Sequence, residues 1–297
     1  MLAIVIPYYK YMFLEATLLS LKNQTNKQFT VYIGDDASTE SPNGLLEKYK
    51  GAFTYYYKRF NSNLGGTSLV KQWERCINMV KDEEWVMILG DDDTISNNFV
   101  EAFYKHIDEI NQFKINVVRY SSLVVDSRGK HISKKYEHPK LETPTGFLIR
   151  KFKGGTRSSL SEYIFKKEKV DAIKFKNFPL AWSSDTLAIV EFSEGKNIFT
   201  INEALMYFRL SDINITGKSD SIEKNEAWFE FYTYLLKQYG KQYPKELVNM
   251  LFDRLEKVQC NNKKTPKRWL KLFSLYIQFL QFSRFLSLFV KIKKSIK

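Results

Sequence analysis

The chain has 297 residues, 44% of them hydrophobic and 15% aromatic, which supports a sizeable buried core and excludes a disordered chain. Two cysteines, Cys76 and Cys260, build neither a disulfide framework nor a zinc cluster, and the three histidines have no His or Cys neighbour with which to ligate a metal. The net charge of +13 is uneven: ten basic residues and no acidic one follow Asn261, leaving +3 on the first 260 residues, too little for a nucleic-acid groove spread over the body.

The run LAIVIP (2–7) has no basic lead-in and no small-residue cleavage site, so it reads as a strand and not as a signal peptide. Leu14, Leu18 and Leu21 keep helical spacing as far as NQTNKQ. FTVYIG (29–34) is a second strand, ending on Asp35 and Asp36, and AFTYYYK (52–58) is a third, followed by the loop RFNSNLGG. Residues 67–81 read as a helix, and EWVMIL (84–89) as a fourth strand that runs into Gly90 and then Asp91, Asp92 and Asp93. A helix over 97–110 and a strand over 115–125 follow. This alternation predicts an α/β fold with a mostly parallel sheet.

Beyond residue 125 the pattern is less regular. GKHISKKYEHPKLETPTG reads as loop, SLSEYIFKKEKV as strand then helix, SDTLAIVEFSEG as helix and IFTINEALMYFRL as strand. Three helical patterns close the chain, at 221–238, 244–258 and 266–292.

Two strands therefore end on clustered aspartates, and in a parallel sheet the carboxyl ends of strands share one edge, where ligands bind. Asp after a strand is also ordinary turn and cap chemistry. Three in a row are a different matter, because close carboxylates repel unless a cation or donors compensate. Mg²⁺ and Mn²⁺ use one or two carboxylates and complete their shell with phosphate oxygens. No GxxxxGK[ST] loop is present and no GxGxxG follows the first strand. The glycine pair of NLGGTS is weak evidence, more readily read as a flexible turn before a helix.

Taken together, IVIPYYK, LKNQTNKQFTVYIGDDAST, NLGG, VMILGDDD and WSSDTLAIVEF resemble, in order and spacing, the inverting, nucleotide-sugar-dependent glycosyltransferases of family 2, over residues 2 to 215. The resemblance implies a GT-A fold, a Rossmann-like mixed sheet flanked by helices, with a donor half at about 1–125, an acceptor half at about 126–215 and a C-terminal helical region from 216. It implies that Pro7, Tyr9, Asp35, Asp36 and Asn63 bind the nucleotide-sugar, that Asp91 and Asp92 join them, and that Asp93 with Asp91 binds Mn²⁺ or Mg²⁺. Asp185, at the start of a helix, takes the position of the catalytic base. Ser183 or Ser184 would cap that helix, whose positive end keeps a carboxylate ionised.

The sequence departs from the family pattern at two positions. Ala37 stands where glycine is common, a modest change unless φ is positive there. Ser211 stands where a histidine often contacts the metal or phosphate, which leaves Arg209 to meet the diphosphate.

The last predicted helix, 266–292, is amphipathic with basic ends, the composition of an interfacial membrane anchor, although a helix packed on protein shares the pattern. Gln278, Gln281 and Arg284 interrupt its apolar run and argue against a membrane span. The expected enzyme is thus a cytoplasmic glycosyltransferase, peripheral at the inner face of the cell membrane. It would take a UDP-sugar donor and a saccharide acceptor, lipid-diphosphate-linked, in surface-polysaccharide synthesis. Two other classes compete: a nucleotidyltransferase, which would want a basic Gly-rich loop where PYYKYMF stands, and a non-catalytic basic membrane-binding protein.

Overall fold

The computed structural model describes residues 1–211, 222–262 and 265–294. The chain forms two compact units, Met1–Asn177 with Ser184–Lys218, and Phe178–Ser183 with Ser219–Lys297.

The first unit opens with β1 (Leu2–Tyr8), α1 (Tyr11–Lys22), β2 (Phe29–Asp35), α2 (Asn43–Lys48) and β3 (Thr54–Arg59). Next come α3 (Leu69–Ile77), β4 (Trp85–Ile88), β5 (Thr94–Ile95), α4 (Phe99–Lys105), α5 (Ile107–Gln112) and β6 (Val117–Val125). After β7 (Leu141–Glu142) and α6 (Pro144–Phe152), a 3₁₀ turn at Leu160–Glu162 leads into β8 (Tyr163–Lys166) and α7 (Lys167–Ile173). The unit ends with α8 (Ser184–Phe192) and β9 (Ile198–Arg209).

All nine strands join one mixed sheet in the order β3-β2-β1-β4-β8-β6-β9-β5, with β7 paired to β9. β3, β2, β1 and β4 are mutually parallel, as are β6 and β9, while β8 runs antiparallel between β4 and β6. The mostly parallel α/β expectation therefore holds. β2 is buried along its whole length and β1 at all but Pro7, and Leu2, Ile4, Ile6, Val31 and Ile33 lie in the main core with Leu14, Leu18, Phe99 and Phe103.

Two local expectations differ. The predicted helix 97–110 is two helices meeting at His106. The stretch read as loop holds β7 and the first turn of α6, where Thr143 Oγ1 accepts from the Gly146 amide and Pro144 is the first helical residue. Phe178–Ser183 clusters with the C-terminal helices and not with the sheet, because Phe178 packs edge-on against Phe231 and Trp182 against Trp228, each with centroids 6.0 Å apart.

The second unit is helical: α9 (Ile222–Tyr239), α10 (Lys245–Asn261), α11 (Pro266–Gln278) and α12 (Phe282–Lys294). Phe229, Leu235, Leu236, Leu251, Phe252, Leu255, Leu272, Leu275 and Tyr276 form its buried interior. Arg268, nearly buried, donates to Glu226 and Asn225 and lies over Phe229, and Arg284 ties α12 to Asp253 and Glu256 of α10. Where one helix was expected over 266–292, the chain breaks at Leu280, whose φ is +54. Among the described residues no helix is long and apolar enough to cross a membrane.

Candidate active site

β1, β2 and β4 are in register, so Tyr8, Asp35 and Gly90 leave the sheet at one edge. The acids expected there gather at that edge, each held by a different set of donors.

Asp35 is fully buried and structural in its contacts. Its Oδ1 accepts from the Ser38 amide at 2.8 Å, and its Oδ2 accepts from Tyr57 at 2.7 Å and from Arg59 at 2.9 Å. Asp36 turns the other way. Its Oδ1 accepts from the Leu64 amide at 2.7 Å and from Arg75, and its Oδ2 from the Gly65 amide at 2.9 Å. A Cβ at Gly65 would come within 2.6 Å of that Oδ2, so NLGG is a cradle fitted to Asp36 and more than a flexible turn. Asn63 completes it by accepting from the Gly66 amide at 2.6 Å. Arg75, which also donates to Ser62 O and lies 4.0 Å from the Phe60 ring, carried no sequence signal, since only the tertiary fold brings α3 to Asp36.

Pro7 sits within β1 opposite Gly34, and Tyr9 follows the strand with its side chain 43% exposed. The Tyr9 and Lys10 amides both donate to Asp91 Oδ2, at 2.8 and 2.7 Å. This oxygen of Asp91 holds the loop after β1. Lys10 Nζ reaches Asp92 Oδ2 at 3.1 Å, a pairing that sequence reading missed. Asp93 Oδ1 accepts from the Arg209 amide at 2.9 Å. Burial, followed by repulsion from Asp92, raises the carboxyls of both Asp91 and Asp93 above the usual carboxylate range.

The Arg209 side chain is almost buried. Its Nε donates to Asp92 O at 2.9 Å and its Nη1 to Asp126 O and Ser127 O, at 3.0 and 3.1 Å, while the guanidinium lies over Phe13. Through these carbonyls it braces the acidic loop. The neighbouring stretch 212–221, which includes most of SDINIT, lies outside the described residues.

Asp185 stands in the first turn of α8, part-exposed, with Thr186 Oγ1 donating to its Oδ1 at 3.4 Å. The capping expectation is corrected: Ser184 Oγ donates back to Lys176 O at 2.6 Å, and Ser183 is left-handed at φ +68. Leu180 and Ala181 are left-handed too, at φ +55 and +54, so a strained backbone precedes Asp185.

Among the described residues, no three acidic, His or Cys side chains converge as a ready-made metal cage. The donor set at the edge is nonetheless all oxygen, from the carboxylates of Asp91, Asp92 and Asp93. That chemistry fits a hard cation whose remaining ligands are phosphate oxygens.

A family model described as glycosyl transferase family 2 matches residues 3–164. S. aureus TarS 1-349 in complex with UDP-GlcNAc superposes with a TM-score of 0.67 at 16% identity, over 94% of this chain and 80% of that one. The same protein in complex with UDP gives a TM-score of 0.58 at 15% identity, over 93% and 88% of the two chains. No curated protein sequence matches significantly. These likenesses show the GT-A fold.

Proposed function

Because the chain belongs to glycosyl transferase family 2, and is thus a glycosyltransferase with a nucleotide-sugar donor, we propose that it moves a sugar with inversion from a UDP-sugar to a hydroxyl of a saccharide acceptor. The observation that carries this reading is the Asp36 cradle. A carboxylate has about four lone-pair directions, and three are occupied by Leu64, Gly65 and Arg75, which leaves one for a ring N–H. Uracil offers that N–H, whereas cytosine presents a lone pair at the same position and is repelled. Tyr9 offers the exposed ring for the nucleoside, with Pro7 and Asn63 shaping the walls.

In this reading Asp185 takes the acceptor hydroxyl proton as its oxygen bonds to the anomeric carbon and the bond to the diphosphate breaks from the opposite face. Asp93 and Asp92 would hold Mn²⁺ or Mg²⁺ together with the donor's phosphate oxygens, which supplies positive charge beside the departing diphosphate. Asp91 positions the loop that carries Tyr9 and Lys10, and Arg209 stiffens the acidic loop. The acceptor is a lipid-diphosphate-linked saccharide of surface-polysaccharide assembly, and the basic C-terminal helices keep the enzyme at the inner membrane face.

A panel of nucleotide-sugars tested by thermal stabilisation and transfer separates these roles. UDP-sugars are expected to stabilise the protein and CDP-sugars not. Asp185→Asn is expected to abolish transfer while keeping UDP-dependent stabilisation, and chelation to abolish transfer reversibly. Substantial turnover by Asp185→Asn removes the base assignment, and turnover that survives full chelation removes the metal role.

A further inference from the structure

The segment before β8 approaches the acidic loop from the side opposite β1. Ser161 Oγ accepts from the Gly90 amide at 3.1 Å, which ties the 3₁₀ turn to the start of the aspartate triplet. Four residues earlier, Arg157 is fixed from three directions. Its Nη1 donates to Glu162 Oε1 at 2.8 Å and to Ser159 Oγ at 3.3 Å, and its guanidinium lies 3.7 Å from the Phe208 ring centroid. Phe208 adjoins Arg209, whose amide holds Asp93. Glu162 is completely buried, so the pair is anchored from beneath.

Only Nη1 of Arg157 is engaged: among the described residues Nε and Nη2 have no hydrogen-bond partner, and the side chain is 19% exposed. A guanidinium held by a buried carboxylate and an aromatic ring loses little freedom when it binds, and its open edge is a planar fork suited to oxyanions. Its charge is felt by Asp93. Three aspartates repel a diphosphate; Lys10 faces Asp92 and the Arg209 side chain lies on carbonyls, so among the described residues Arg157 presents a vacant fork beside the triplet. Resting on the donor reading above, we infer that Arg157 binds the diphosphate of the nucleotide donor, with Glu162 and Phe208 as the residues that position it.

Calorimetric titration of the full chain with UDP and with uridine, in the presence of Mn²⁺, tests this. Arg157→Gln is expected to weaken UDP about ten- to a hundredfold while uridine changes less than twofold, because charge-assisted bonds to phosphate are lost and base contacts are not. Arg157→Lys is expected to restore only part of the loss, since a point charge cannot form the fork. The double variant Arg157→Gln with Glu162→Gln, in which two amides replace the ion pair, guards against misfolding and should show the same split. Unchanged UDP affinity in both, or equal weakening of UDP and uridine, overturns the inference. If the unaltered protein binds neither ligand, the donor reading itself falls and takes the inference with it.

Discussion

Ala37 occupies a backbone position, φ +55, that an L-residue enters at a cost of roughly 1–2 kcal/mol. Replacing it with glycine removes that strain and adds unfolded-chain freedom of somewhat smaller size, so Ala37→Gly is expected to stabilise by about 0.5 kcal/mol. A melt should read this as a rise of roughly 1–2 °C, and a fall in Tm would contradict it. The sequence showed that this position departs from a glycine but carried no dihedral angle. The aspartate triplet has the same limit. Three adjacent letters announce an anionic edge, yet their roles depend on partners far along the chain: Tyr9 and Lys10 for Asp91, Arg209 for Asp93. Arg75 and Arg157 belong to no local pattern and became visible only when folding brought them to Asp36 and to Phe208.

Elements were legible where periodicity was strong, as in β1, β2, β4 and α8, and illegible where a break lacks its usual residue. The stop between α11 and α12 is a case in point. Gln281 N donates to Tyr276 O and Leu280 N to Ile277 O, the hydrogen-bond pair of a Schellman ending, with leucine at the left-handed position that glycine normally takes. Each helix keeps an exposed apolar stripe, Leu270, Phe273 and Ile277 on α11 and Phe282, Leu286 and Val290 on α12, with Leu280 at 77% exposure in the bend. Basic residues without acids accompany the stripes, which favours anionic lipid. Leu280→Ser with Leu286→Ser is expected to lower co-flotation with phosphatidylglycerol vesicles at least tenfold, given ~1.5–3 kcal/mol for each fully buried leucine. If flotation is unchanged while the oligomeric state shifts, the stripes serve a second copy of the chain.

At the scale of the whole molecule, the sheet order places a buried ionic cluster under the second half of the first unit. Arg119 and Arg150 both meet Glu142, at 2.9 and 2.7 Å, and His138 Nδ1 lies 3.0 Å from Arg150 Nη2 and 3.2 Å from Thr156 Oγ1. Burial, then the charges of Arg119 and Arg150, lower the His138 pKa to about 2. In the unfolded chain histidine titrates near ~6.5. Below that pH the unfolded state takes up a proton that the folded state refuses, so stability falls as pH falls and is unaffected above it. Between pH 6.5 and 5 the loss is about 2 kcal/mol from this residue. Denaturant unfolding at pH 7.5 and pH 5 should therefore show a smaller drop for His138→Gln than for the unaltered protein, and equal drops would refute the neutral buried imidazole. None of this cluster was readable in the sequence, where GKHISKKYEHPKLETPTG looked like solvated loop, because its partners lie on β6, β7 and α6.

The antiparallel course of β8 has a consequence for how such an enzyme diversifies. β6 ends at Val125 and the 3₁₀ turn returns at Leu160, both held by the sheet. The excursion between them begins and ends on fixed supports, and it carries the Asp126 and Ser127 carbonyls that hold Arg209, the Glu142 cluster and Arg157, so only the exposed loops between those anchors can change length without shifting Asp93. The fold thereby stitches its late, irregular stretch into the acidic edge: change is free in the exposed loops and penalised wherever the chain returns to brace that edge.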